Sequence, residues 1–188
     1  MPRVRALFLA SALTAAALSS GCLVLSLQPV YDSSAIESEE SLVGIWENPD
    51  DHSSFVVDQG EWKSYRITYS AAAGAAPLAL VGYLTKIGDE LYLDVTPPRG
   101  VEVDWLLVPA HAACKLQLSS DRLAVTGLDY DWFIDAVSRH ALPGLLAVLD
   151  GRKDVVIVSD SAAVRRWLLG HARAEAVFAE TVTFVRKK

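Results

Sequence analysis

The segment from Leu78 to Val95 constrains the fold most. Two runs, Leu78 to Ile87 and Glu90 to Val95, flank the dipeptide Gly88-Asp89. A two-residue connection opening on Gly suits a type II′ turn, because Gly tolerates positive φ at the first central position. The stretch therefore reads as an antiparallel hairpin. Upstream, Tyr65, Ile67 and Tyr69 alternate with polar residues, the period-two pattern of a strand with one buried face. Leu42 to Trp46 and Ser53 to Asp58 read as two earlier strands about a Pro49 to Asp51 turn, and Ala71 to Pro77 reads as a loop. His111 to Leu118 and Arg122 to Leu128 form another hairpin about Ser119-Ser120-Asp121. Val101 to Pro109 fits a strand or an irregular crossing.

Periodicity changes after Asp129. Trp132, Phe133, Ala136, Val137 and Ala141 follow helical spacing, with Asp129 or Asp131 to cap the start and Pro143-Gly144 to stop the helix. Leu145 to Leu149 and Val155 to Val158 read as a third hairpin. A second helix is expected from Asp160 or Ser161 to Gly170 as its C′ residue, a further helical turn within Ala174 to Glu180, and a last strand at Thr181 to Val185. Short turns between successive strands imply antiparallel pairing, and the absence of β-α-β-α alternation argues against a doubly wound fold. The expected class is α+β, mainly antiparallel β: a curved or barrel-like sheet with two or three helices in the C-terminal half.

The N-terminus carries an address. Arg3 and Arg5 precede an apolar run, Ala6 to Leu18, followed by Ser19-Ser20-Gly21-Cys22. This is the layout of a secretory signal, too short to span a bilayer, which takes about 20 apolar residues. Leu18-Ser19-Ser20-Gly21-Cys22 resembles the signal of bacterial lipoproteins, although Ser19 stands where that pattern usually has Leu. The resemblance implies cleavage after Gly21 and acylation of Cys22, with two or more acyl chains giving stable anchoring. Leu23 rather than Asp after the cysteine implies the periplasmic face of the outer membrane. The expected organisation is a signal at 1–21, a lipidated Cys22 with a flexible acidic tether at 22–41, and one globular domain at 42–188.

Two of the 17 basic residues lie in the signal, so the mature chain carries 15 against 23 acidic residues, a formal charge of −8. An acidic chain with no basic run beyond Arg186-Lys187-Lys188 is a poor partner for nucleic acid. With Cys22 lipidated, Cys114 has no intramolecular disulfide partner. Cys114 reads as a small buried hydrophobe. It stands three residues from His111 on a strand, so the two side chains face opposite ways.

Local motifs with chemical content are few. Gly44-Ile45-Trp46 resembles the G-x-W of lipocalins and related calycin barrels. The resemblance implies that Trp46 closes one end of a barrel that holds a small apolar ligand. Asp129-Tyr130-Asp131 is similar to the D-x-D of haloacid-dehalogenase-type phosphatases, but Phe133 departs from that pattern, and the acidic residues suit a helix N-terminus. Asp50-Asp51-His52 has metal-ligand residue types in an ordinary turn composition. His140 and His171 lie near helix ends. No catalytic set or cofactor motif is readable, and no cofactor is expected. The order of Gly44-Ile45-Trp46, the Leu84 to Leu93 hairpin with Gly88, and Leu128-Asp129-Tyr130-Asp131-Trp132 is similar to that of uncharacterised exported bacterial lipoproteins, a resemblance that implies no activity. Three functions are carried forward, in this order: a non-catalytic, membrane-anchored envelope protein with a protein partner; a carrier or sensor of a small apolar ligand; and a periplasmic hydrolase.

Overall fold

The structure is a computed structural model that describes residues 23–71, 76–99, 109–140, 142, 144–149 and 152–188. The signal, Cys22 and most of the crossing expected at Val101 to Pro109 lie outside the described residues. Twelve strands are described. They are β1 (Val24–Ser26), β2 (Ile36–Glu37), β3 (Gly44–Glu47), β4 (Ser54–Gln59), β5 (Ser64–Ser70) and β6 (Leu78–Ile87), then β7 (Glu90–Thr96), β8 (Ala112–Leu118), β9 (Arg122–Gly127), β10 (Gly144–Leu149), β11 (Arg152–Ile157) and β12 (Val182–Arg186). Two helices lie between β9 and β12: α1 (Tyr130–Ser138) and α2 (Ser161–His171).

Eight strands close into an antiparallel barrel. Each of β3 to β8 pairs with the next, β9 pairs with β12, and β12 returns to β3. Closure removes the sheet edges that would otherwise template aggregation. The hairpin around Gly88 has the expected geometry, with Gly88 at φ +64. On the outer edge of β6, β5 pairs as far as Tyr83, and β2 takes over at Leu84 and Thr85. The turns β4–β5, β6–β7 and β8–β9 gather at one end of the barrel. The longer connections leave from the other, and α2 packs back along the outer wall, with Arg165 bound to Thr85 and Lys86 and Leu169 beside Gly88.

Alternation follows the barrel wall. In β5, Tyr65 and Ile67 are buried between exposed Arg66 and Thr68. In β7 the alternation breaks, and Tyr92, Leu93 and Asp94 are all buried. Leu93 belongs to the barrel interior, whereas Tyr92 faces a second core outside it. That outer core packs Phe133 and Val137 of α1 with Val164 and Leu168 of α2, and with Val155 and Ile157 of β11. The expected third hairpin exists as β10–β11, but it stands outside the barrel. β11 pairs in parallel with β1 to complete a three-stranded sheet.

The segment expected as a flexible tether is built into the fold from Val24 onward. Val24, Val30, Ile36 and Leu42 are all buried. Each contributes about 1.5–3 kcal/mol by leaving water. They pin a stretch that has no periodic apolar face.

The helix caps are local. Asp129 Oδ1 accepts from the Trp132 N–H at 2.7 Å, and Asp160 Oδ1 accepts from the Ala163 N–H at 2.7 Å. These bonds satisfy N–H groups that the first helical turn leaves free. Gly170 does not end α2; it lies within the last turn, and the chain leaves after His171. The further helical turn expected after Ala174 is a short 3₁₀ turn at Glu175–Val177.

Candidate binding site

The two ends of the barrel differ. At the short-turn end a plug is built from residues before β3 and at the end of β12. Glu40–Leu42 forms a 3₁₀ turn with Leu42 buried. The Trp46 indole N–H donates to the Leu42 carbonyl at 2.8 Å, and its ring is fully buried. The Arg186 guanidinium lies 4.1 Å from the Trp46 ring centroid. It donates to the carbonyls of Val43 at 2.8 Å, Ser120 at 3.0 Å and Ser41. Gly44 makes this possible. A Cβ there would stand 2.4 Å from Arg186 Nη1, and its φ is +146. The glycine and the tryptophan of Gly44-Ile45-Trp46 thus serve one arrangement: Gly44 gives the guanidinium room to lie over Trp46. The Tyr65 hydroxyl completes the plug, accepting from the Glu39 N–H at 2.7 Å and donating to the Glu39 carbonyl at 3.2 Å.

The interior is buried at mid-height by Val57, Ile67, Leu84, Leu93, Leu116, Leu123 and Phe184, while Leu91 and Leu118 beside the short turns are half-buried under the plug. Towards the long-connection end, the barrel-core residues Phe55, Leu80, Val95, Cys114, Val125 and Val182 are only half-buried. Tyr69, its ring centroid 4.9 Å from that of Phe55 and tilted against it, is also half-buried, and Leu78 at the rim is 52% exposed. This end is therefore an apolar, solvent-reached mouth. Eight strands leave an interior just wide enough to be filled by side chains or to hold one small ligand. Cys114 lies in the mouth with its Sγ 3.7 Å from the Leu93 carbonyl, and burial pushes its thiol up to about 12. It is inert as a nucleophile near neutral pH.

His111 and Cys114 do face opposite ways. Outside the wall, His111 Nδ1 lies 2.6 Å from Asp94 Oδ1, and Asp94 Oδ2 accepts from the Val30 N–H at 2.7 Å. Arg165 donates to the Val30 carbonyl at 2.9 Å. A buried aspartate is tolerable only when paired and hydrogen-bonded in this way. The clasp fastens the N-terminal segment to the barrel and had no signal in the sequence, because Asp94 falls in an ordinary strand pattern.

The other candidates resolve into structural roles. Asp129 is a helix cap and Asp131 lies in the first turn of α1. Asp51 accepts from the Ser53 N–H within the β3–β4 turn, and His52 sits at φ +61 against Glu47. Hydrogen bonds from Lys187 and His52 hold the Glu47 carboxyl below its ordinary range. His171 stacks on Trp167, with ring centroids 4.3 Å apart. Among the described residues, no group of three or more His, Cys, Asp or Glu is placed to hold a metal ion, and no helix is long and apolar enough to cross a membrane.

Two cavities lie outside the barrel wall. One of about 570 Å³ is an open groove between Tyr31, Gly88 and the Arg165 side of α2. The other, about 130 Å³, is an apolar niche between Phe133, Ile157, Val164 and Trp167. The groove also carries Asp32, Ser33, Ser161 and Arg166, but Asp32 is bound to Ser34 and Arg165 to the Val30 and Lys86 carbonyls and the Thr85 hydroxyl, which are structural bonds. No protein-family model, curated protein or solved structure matches the chain.

Proposed function

We propose that this chain is a lipid-anchored envelope protein whose domain is a calycin-like binding barrel for a small apolar ligand. The observation that carries the reading is the asymmetry of the barrel. One end is capped by Trp46, Leu42 and Arg186; the other has no such plug among the described residues and carries half-buried Phe55, Leu80 and Val95 below the exposed rim residue Leu78. The role is non-catalytic binding, and the anchor is acyl chains on Cys22. Of the functions carried forward from the sequence, this geometry favours the ligand carrier over the protein-partner reading. The periplasmic hydrolase has less support, because Asp32 and Arg165 in the polar outer groove are committed to structural hydrogen bonds with Ser34, Val30, Thr85 and Lys86.

The test is titration of the protein with a fluorescent fatty acid. The wild type should bind saturably at one site. Leu80→Trp and Val95→Trp, which place bulk in the mouth, should each weaken binding at least about tenfold, a difference of about 1.4 kcal/mol. No saturable binding, or binding untouched by both variants, refutes the reading. Labelled palmitate should enter the wild type and not Cys22→Ala; equal labelling of both refutes the anchor.

A further inference from the structure

The mouth has one polar corner. The β3–β4 ladder continues a step past its last strand pair, where the Asn48 N–H donates to the Ser53 carbonyl at 2.8 Å. Asn48 and Ser53 therefore stand on the face that carries Trp46 and Phe55, the barrel interior. Tyr69, registered against Phe55 on β5, joins them on the same side of the rim. Across the barrel, β7, β8 and β9 bring Val95, Cys114 and Val125, which are apolar.

Ser53 is 1% exposed, and its hydroxyl has no hydrogen-bond partner. The β3–β4 turn does not use that hydroxyl. The turn is held instead by the Asp51 carboxylate, which accepts from the Ser53 N–H at 2.8 Å, and by Asn48 Oδ1, which accepts from the Asp50 N–H at 2.9 Å. The Tyr69 hydroxyl lies near enough to feel Ser53 but makes no hydrogen bond of ordinary geometry with it. Burial, and then the Asp51 carboxylate, push the Tyr69 hydroxyl above its ordinary range. A buried hydroxyl without a partner costs stability, so it is normally completed by a water or a ligand.

We infer that Ser53 and Tyr69 form a head-group site in the mouth, and that the ligand is an amphiphile with an uncharged hydrogen-bonding head: an alcohol, ester or amide on an alkyl chain. The inference rests on the barrel reading proposed above and names the ligand class for it. Two hydroxyls offer both donors and acceptors to such a head. A carboxylate head would meet the Asp51 charge without a cation to pair it, because the inward-facing Arg186 is engaged in the plug at the other end. Carboxylates therefore bind, but more weakly. The chain lies against the apolar side formed by β7, β8 and β9.

The test is displacement of 1-aminoanthracene, an uncharged fluorophore, from the full-length protein by decan-1-ol and by decanoate near neutral pH. Decan-1-ol should compete at least about tenfold more tightly than decanoate. Ser53→Ala and Tyr69→Phe should each lower the affinity for decan-1-ol, relative to 1-aminoanthracene, by about threefold or more, the range of one neutral hydrogen bond. Urea unfolding of the free protein separates this role from a structural one. Ser53→Ala should leave the midpoint unchanged or raise it, since the hydroxyl has no partner to lose. Saturable binding with decanoate as tight as decan-1-ol, or with decan-1-ol unaffected by both substitutions, overturns the head-group site and leaves the barrel reading standing. A lower urea midpoint for Ser53→Ala assigns the hydroxyl to the fold and also overturns the site. No saturable binding of the fluorophore or of either decyl compound overturns the barrel reading and the site with it.

Discussion

Gly44→Ala should be among the most damaging single-methyl additions in this domain, and most of the damage should depend on Arg186. Two costs arise. The backbone at Gly44 sits at φ +146, where a Cβ is strained, at a cost on the order of 1–3 kcal/mol. The new methyl would also stand 2.4 Å from Arg186 Nη1. The guanidinium would have to leave, losing a charged hydrogen bond to the Val43 carbonyl of about 1.5–3 kcal/mol and a ring contact of about 0.5–1 kcal/mol. The expected total is about 3–7 kcal/mol. In an Arg186→Ala background only the backbone cost remains, so Gly44→Ala should then cost about 1–3 kcal/mol. The coupling should be about 2–4 kcal/mol, with the double variant more stable than the sum of the singles predicts. Urea unfolding of the four proteins of the cycle, followed by tryptophan fluorescence, measures it. If the two costs add to within about 0.5 kcal/mol, Gly44 and Arg186 act independently and the account of the plug is wrong.

Asp94→Ala should destabilise by about 3–5 kcal/mol, because it strands His111 and the Val30 N–H without their buried partner; an unchanged melting temperature would contradict the clasp. Limited proteolysis of that variant should cut first within residues 24–37, and cleavage at an unchanged rate would count against the fastening. Stability should fall as pH rises above about 9. Cys114 and Tyr92 have folded pKa values raised to about 12 from ordinary values of 9.0 and 10.0, so the unfolded chain releases their protons first. A flat profile from pH 8 to 11 in unfolding experiments would show that these groups are not buried as described. Iodoacetamide at pH 8 should leave native Cys114 unmodified and label it readily in urea, and rapid native labelling would contradict its place in the barrel.

The hairpins were legible because each is a local event. Gly88 at positive φ and the alternation of Tyr65, Ile67 and Tyr69 need no distant partner to be read. Closure was not legible, because the β12–β3 pairing joins residues about 140 positions apart through only two registered pairs, Val185 with Glu47 and Arg186 with Trp46. Arg186 read as part of a basic tail, and only the closed ring turns it onto Trp46. The N-terminal segment escaped for a different reason. Val24, Ile36 and Leu42 are single anchors in short elements and Val30 lies between elements, so no run of residues carries a sustained helical or strand alternation. Gly44-Ile45-Trp46 pointed to a barrel end, yet the mouth opposite it is assembled from seven strands and leaves no contiguous motif.

The mouth can be tested directly by amide correlation spectra of the protein titrated with a long-chain fatty acid. A ligand in the barrel should shift the amides of Leu80, Val95, Cys114, Val125 and Val182 together, saturably and with one midpoint, while those of Phe133 and Trp167 in the outer niche stay in place. Shifts confined to Phe133 and Trp167, or no saturable shift anywhere, would contradict the account.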